Sequence, residues 1–154
     1  MELGVKEIVP IIAKRTIKLG LREDRAQKII KEAAEQSGRG ILPVLSQEMP
    51  FADAIRNAEN NDLNLFFSPF GRSTVGGELD IKSIADSDLD FSKYKKIGVF
   101  IGPEGGWHPE ELSLISSLDS QNFKVLGLLP FTLRAETAAI AALSIIQQFS
   151  RFTT

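Results

Sequence analysis

Residues 96–112 read KIGVFIGPEGGWHPEEL, and the architecture turns on this stretch. Lys96–Ile101 is a continuous apolar run of strand length, bounded at once by turn residues. Three glycines (Gly102, Gly105, Gly106), two prolines (Pro103, Pro109) and one acid (Glu104) then crowd together around Trp107 and His108. Pro109 suits the first turn of a helix, where its missing N–H is no loss, and Glu110 and Glu111 complement the positive end of the helix dipole. Strand, permissive loop and helix therefore follow one another, as in an α/β domain. Ligands of open α/β sheets bind beyond the carboxyl ends of the strands, which is where this loop falls. Glycine admits positive φ and close backbone approach. A tight turn with no ligand would use the same residues, so the loop alone leaves both readings open.

Outward from it, the chain alternates. Val5–Ile12 (VKEIVPII) reads as a short buried strand in which Pro10 marks an edge or an early end. From Arg22 to Gln36, Ala26, Ile29, Ile30, Ala33 and Ala34 fall on one face of a helix that stops at Gly38. Ile41–Leu45 is expected as a strand, Pro50–Asn60 as a helix, and Leu63–Ser68 (LNLFFS) as an apolar strand ending at Pro69-Phe70-Gly71. Residues 71–95 are rich in Gly, Ser and Asp without a clear period, and read as a long polar connection. The helix opened by Pro109 runs to about Leu118. Phe123–Leu128 is a strand, and Arg134–Phe149 an Ala-rich helix with Ala138, Ala142, Ile145, Ile146 and Phe149 on one face. Strands apolar on both sides, alternating with helices, predict one α/β domain over 1–154, with a parallel sheet flanked by helices.

Composition removes several classes of function. There is no cysteine, so neither a disulfide framework nor thiolate chemistry is available, and the lone His108 does not make a metal site. No apolar run reaches the roughly 18 residues of a membrane span, so a soluble cytoplasmic protein is expected. The net charge is −2, but residues 1–40 hold nine Lys or Arg against six Asp or Glu. The excess lies at Lys14, Arg15, Lys18, Arg22, Arg25 and Arg39. A solvated face is one reading; a rim for RNA phosphates, carried by Arg15, Arg22, Arg25 and Arg39, is the sharper one.

Three strand ends carry unusual sequence: Ser68-Pro69-Phe70-Gly71, Gly102–Gly106, and Leu128-Leu129-Pro130-Phe131-Thr132-Leu133-Arg134. Neither a dinucleotide nor a P-loop glycine fingerprint is present. In Leu133-Arg134-Ala135-Glu136-Thr137-Ala138, Glu136 and Thr137 suit a helix start, but Arg134 is a cation at the end of a helix that disfavours cations. That placement points to a partner such as Glu104, Glu136 or a phosphate.

These residues carry a resemblance. GPEGG after a strand, LRAETA opening the last helix, Glu32–Arg39 (EAAEQSGR) with Pro43 beyond it, and ELGV at 2–5 with Ile8 and Pro10 occur in order along the whole chain. Together they resemble the RsmE family of SPOUT RNA methyltransferases. The resemblance implies a C-terminal trefoil knot, one of the few exceptions to the rule that chains do not thread themselves. It implies S-adenosylmethionine held by the three loops, through Ser68, Pro69, Gly102, Pro103, Glu104, Gly105, Gly106, Leu128, Leu129, Leu133, Thr137 and Ala138. It also implies a homodimer, ribosomal RNA of the small subunit as partner, no metal, and methylation of N3 of a uridine. Within that chemistry Arg134 would stabilise the uridine anion or hold a phosphate, and Glu136 or Glu104 would orient Arg134 or act as base; sequence does not rank these roles.

Two departures from the family pattern stand out. The segment before the last helix is often Leu-Gly-Pro-Arg-Ile-Leu-Arg, and here Leu129 stands at the glycine and Phe131 at the first arginine. Family members also carry a PUA-like β-barrel ahead of the methyltransferase domain, whereas this chain begins inside that domain's first helix, so 1–154 is expected to form the SPOUT domain without the barrel. A non-catalytic remnant that dimerises or binds RNA is the alternative. The final helix, apolar around Ala138–Ile146 beyond what one sheet face needs, suits a second subunit as well as burial within one chain.

Overall fold

The computed structural model describes residues 3–17, 20–68, 81–118, 122–128 and 132–150. Its centre is a three-stranded parallel sheet. The middle strand, β5 (Leu63–Phe67), pairs with β6 (Ile97–Ile101) on one side and β7 (Phe123–Leu126) on the other. In register, Phe66 lies beside Phe100 and Val125. All five residues of β5 are buried, as befits a strand covered on both faces.

Alternation along β5 feeds two cores. Phe66 points to one face, with Phe51, Ile55, Phe100, Trp107, Ile115 and Phe123. Its ring stacks on Phe100 with centroids 4.0 Å apart and a 13° interplanar angle. Leu63, Leu65 and Phe67 point to the other, with Ile84, Phe91, Leu126, Ala142 and Ile146. Asn64 is the polar member of the first face, and its groups are satisfied: Nδ2 donates to the Ala58 carbonyl at 2.8 Å, and Oδ1 accepts from Asn61 Nδ2 at 2.7 Å.

The helices follow from pattern and caps. α1 (Glu23–Gln36) has Glu23 and Asp24 in its first turn and ends at Ser37 and Gly38, whose φ is +65°. Its expected apolar face is only lightly used: Ala34 is buried, but Ile29 is exposed. α2 (Phe51–Ala58) buries Phe51, Ala54, Ile55 and Ala58, at i, i+3, i+4 and i+7. α3 (Pro109–Ser117) covers the first core beside α2, and α4 (Ala135–Phe149) covers the second. This is an α/β fold of parallel strands flanked by helices.

The N-terminal strand is not continuous. Pro10 divides it into β1 (Glu7–Ile8), paired in parallel with β3 (Val44–Leu45), and β2 (Ile11–Ile12), paired with β4 (Met49–Pro50). A proline supplies no ladder donor, but its carbonyl still accepts, here from Met49 N–H at 3.0 Å. The expected polar connection at 71–95 is corrected in its described part. Residues 81–95 carry two single-turn 3₁₀ segments, at Ile84–Asp86 and Phe91–Lys93, and bury Ile81, Ile84 and Phe91. Ser83 bridges to Gly127 in parallel, extending the sheet edge beyond β7. The expected knot runs through segments that include 69–80 and 129–131, which lie outside the described residues.

Candidate functional site: a pocket at the strand ends

A cleft, open on one side, lies beyond the carboxyl ends of the central strands. Phe67 and Ser68 come from the end of β5, Ile101 through Glu104 from the end of β6, and Leu128 from beyond β7. Thr132, Leu133, Ala135 and Ala138, at the start of α4, close the remaining wall. The topology dictates this arrangement: three parallel strands end side by side, so the loops that leave them converge.

The loop after β6 owes its shape to two glycines with different tasks. Gly106 sits at φ +70°, and its N–H donates to the Pro103 carbonyl at 2.7 Å, closing a tight turn. Gly102 is required by its neighbour. A Cβ there would stand 3.1 Å from Cε2 of Trp107 and 3.2 Å from its Nε1. Trp107 is buried between Phe51 and Phe66, and its Nε1 donates to the Phe67 carbonyl at 3.1 Å. The indole therefore joins the ends of β5 and β6. His108 then caps α3: its Nδ1 accepts from Glu110 N–H at 3.4 Å, while Glu111 Oε2 accepts from His108 N–H at 2.7 Å.

Of the residues expected to hold a cofactor, Ser68, Gly102, Pro103, Glu104, Gly106, Leu128, Leu133 and Ala138 line the cleft. Gly105 does not; a Cβ there would face Arg15 at 3.5 Å. Thr137 is exposed and off the lining. Pro69 and Leu129 lie outside the described residues. Arg134 and Glu136 are exposed, and Arg134 stands between the lining residues Leu133 and Ala135. Among the described residues its guanidinium makes no ion pair, with Glu104, Glu136 or any other carboxylate.

The basic residues at the N-terminus divide. Arg22 and Arg25 are exposed and rim a separate groove between α1 and β2. Arg39 gives Nη1 to the Val5 carbonyl at 3.3 Å, and Arg15 gives Nη1 to the Gly105 carbonyl at 2.8 Å. Sequence reasoning missed Phe67, Ile101, Trp107, Thr132 and Ala135 as lining residues. The first two were legible as the last residues of their strands, and Trp107 as the chain's single tryptophan beside the glycines. Among the described residues no group of three or more His, Cys, Asp or Glu is arranged to hold a metal ion, and no helix is long and apolar enough to cross a membrane.

A cleft with this lining at the ends of parallel strands defines a small-molecule site of the α/β class. The chain belongs to the RNA methyltransferase domain family, whose model matches residues 1–147. It is 30% identical over 143 residues to ribosomal RNA small subunit methyltransferase E of Rickettsia conorii, covering 93% of this chain and 54% of that protein. It is 32% identical over 151 residues to the Bacillus subtilis protein of the same name, covering 94% and 56%. A solved structure of ribosomal RNA small subunit methyltransferase E from Neisseria gonorrhoeae, bound to S-adenosyl methionine, superposes with a TM-score of 0.75 at 29% identity, over 99% of this chain and 59% of that one. The chain thus spans little more than half the length of these relatives.

Proposed function

We propose that the chain is the cofactor-binding and catalytic part of an S-adenosylmethionine-dependent methyltransferase that modifies N3 of a uridine in small-subunit ribosomal RNA, acting as a cytoplasmic homodimer threaded in a C-terminal trefoil knot. The observation that carries this reading is the convergence of three strand-end segments on one cleft, in a family whose relatives are named for ribosomal RNA methylation. The residues fit the cofactor. Apolar Phe67, Ile101, Leu128 and Leu133 suit an adenine ring, and Glu104, the single carboxylate among the described lining residues, suits a cationic ligand. Arg134, at the N-cap position of α4, makes no side-chain cap bond, so that helix's first N–H groups have no side-chain partner there and are open to a polar ligand group.

The cofactor supplies an activated methyl group when bound; the chain does the rest. Methyl transfer demands donor and acceptor roughly 3–3.5 Å apart and in line, and the loops converging on the cleft would set that approach. Uridine N3 must lose its proton, which leaves charge on the ring carbonyls. Arg134, without a carboxylate partner among the described residues, is placed to stabilise that charge or to hold a phosphate. Glu136, two positions on, exposed and not paired with the arginine, is the group we assign to accept the proton. Exposed Ile140, at 61% and on the side of α4 away from Ala142 and Ile146, offers that helix to a second subunit.

The test is twofold. Titration calorimetry with S-adenosylmethionine is expected to give saturable heat, and small subunits lacking the modification are expected to yield 3-methyluridine on nucleoside digestion. Arg134→Ala should abolish methyl incorporation while cofactor heat persists. Absence of cofactor heat, or full methylation by Arg134→Ala, would count against the site as assigned.

A further inference from the structure

A set of contacts outside the cleft reaches the loop after β6 from the far end of the sequence. Residues 13–16 form a tight turn, with Ala13 N–H donating to Thr16 Oγ1 at 2.9 Å and Thr16 N–H to the Ala13 carbonyl at 3.0 Å. Ala13 is anchored in the same core as Phe51 and Trp107. From this turn Arg15 Nη1 donates to the Gly105 carbonyl at 2.8 Å. Lys14 backbone N–H donates to Glu111 Oε1 at 2.8 Å, across 97 positions of sequence. The other oxygen of that carboxylate accepts His108 N–H at 2.7 Å. Glu111 is only 4% exposed, so its charge is withdrawn from water and satisfied by two backbone N–H groups, one local at His108 and one remote at Lys14. The loop is thus gripped at its tip, Gly105, and at its exit, His108. Between these points Gly106 and Trp107 line the cleft, as Pro103 and Glu104 do before them.

We propose that Arg15 and Glu111 are positioning residues for the cofactor pocket: the 13–16 turn fixes the backbone of residues 103–108 and so presets the wall that the cofactor meets. Fixing a loop before binding lowers the ordering cost of the complex, so the effect falls on cofactor affinity. The assignment rests on reading the cleft as the S-adenosylmethionine site. It gives Arg15 a task other than contact with RNA phosphate.

The experiment compares wild type with Arg15→Met and Glu111→Gln. In amide hydrogen exchange of the cofactor-free chain, both variants are expected to speed exchange at Gly106 and His108 about five- to tenfold, the scale of one lost hydrogen bond, with β5 amides unchanged. In calorimetry, S-adenosylmethionine is expected to bind about five- to tenfold more weakly, and in turnover KM for the cofactor should rise more than kcat falls. A general structural role would speed exchange in β5 as well. An Arg15 that serves only RNA would leave exchange and cofactor affinity at their wild-type values and weaken retention of a small-subunit RNA fragment. Either result overturns the proposal. Should Glu111→Gln fail to fold, Arg15→Met, at an exposed side chain, decides alone. Should wild type take up no S-adenosylmethionine, the reading of the cleft fails, and the exchange comparison still decides the clamp.

Discussion

Gly102 and Glu110 show how much of the site depends on single side chains, or on their absence. A methyl group at Gly102 meets the Trp107 ring at 3.1 Å, closer than most carbon contacts allow, and Trp107 is boxed in by Phe51 and Phe66. Gly102→Ala is therefore expected to cost about 1–3 kcal/mol as overpacking, measured by chemical denaturation, and to weaken cofactor binding because the indole lines the cleft. Glu110 is the second case. The hydrogen bond from Lys14, and then the charge of that ammonium, hold its carboxyl below the ordinary glutamate range. A depressed carboxylate contributes its pairing fully above the unfolded-state value and loses it as pH falls through the folded one. The Lys14–Glu110 contact should thus weaken on acidification, and Lys14→Met should move the Glu110 titration, followed by carboxyl chemical shift, back up toward the ordinary range.

Elements differ in how plainly they were written. β5, β6, β7, α3 and α4 were legible because an apolar run or a 3.6-residue period coincides with a strong boundary, such as Pro109 or the glycines after Ile101. Residues 81–95 were not, because 3₁₀ turns bury isolated residues such as Ile84 and Phe91 without a period. The split of 5–12 was half legible: Pro10 announced an interruption, but the separate pairing of Ile11 with Met49 depends on partners far along the chain. Contacts of residues 14 and 15 with 105 and 111 left no local signal for the same reason. The central strand carries its own prediction. Asn64 is fully buried and holds two amide partners, so Asn64→Leu should destabilise the fold by about 1–3 kcal/mol in denaturant, by removing one of the two donors to the Ala58 carbonyl and leaving Asn61 Nδ2 without its acceptor.

At the scale of the whole molecule, the proposed subunit and RNA surfaces are separable. Ile140 and Phe149 lie exposed on α4, whereas Arg22 and Arg25 lie on the rim of a groove beside α1. Ile140→Glu is expected to lower the mass seen by light scattering to that of one chain, and an unchanged mass would remove the Ile140 side of α4 from the proposed interface. Arg22→Ala and Arg25→Ala should each weaken RNA retention and reduce the steepness of its salt dependence by about one phosphate contact. Cofactor affinity should stay unchanged, since neither residue lines the cleft.

The single tryptophan gives this chain an optical property. Trp107 is the only indole of the sequence, is shielded from solvent, and forms part of the cleft wall while its ring nitrogen is tied to the end of β5. Selective excitation of the indole therefore interrogates one place, with no labelling and no background from a second emitter of its kind. Occupation of the cleft changes the dielectric and the quenching groups around that ring, so emission intensity and wavelength track ligand in real time. The same residue that joins two strand ends makes the chain its own fluorescent titration probe.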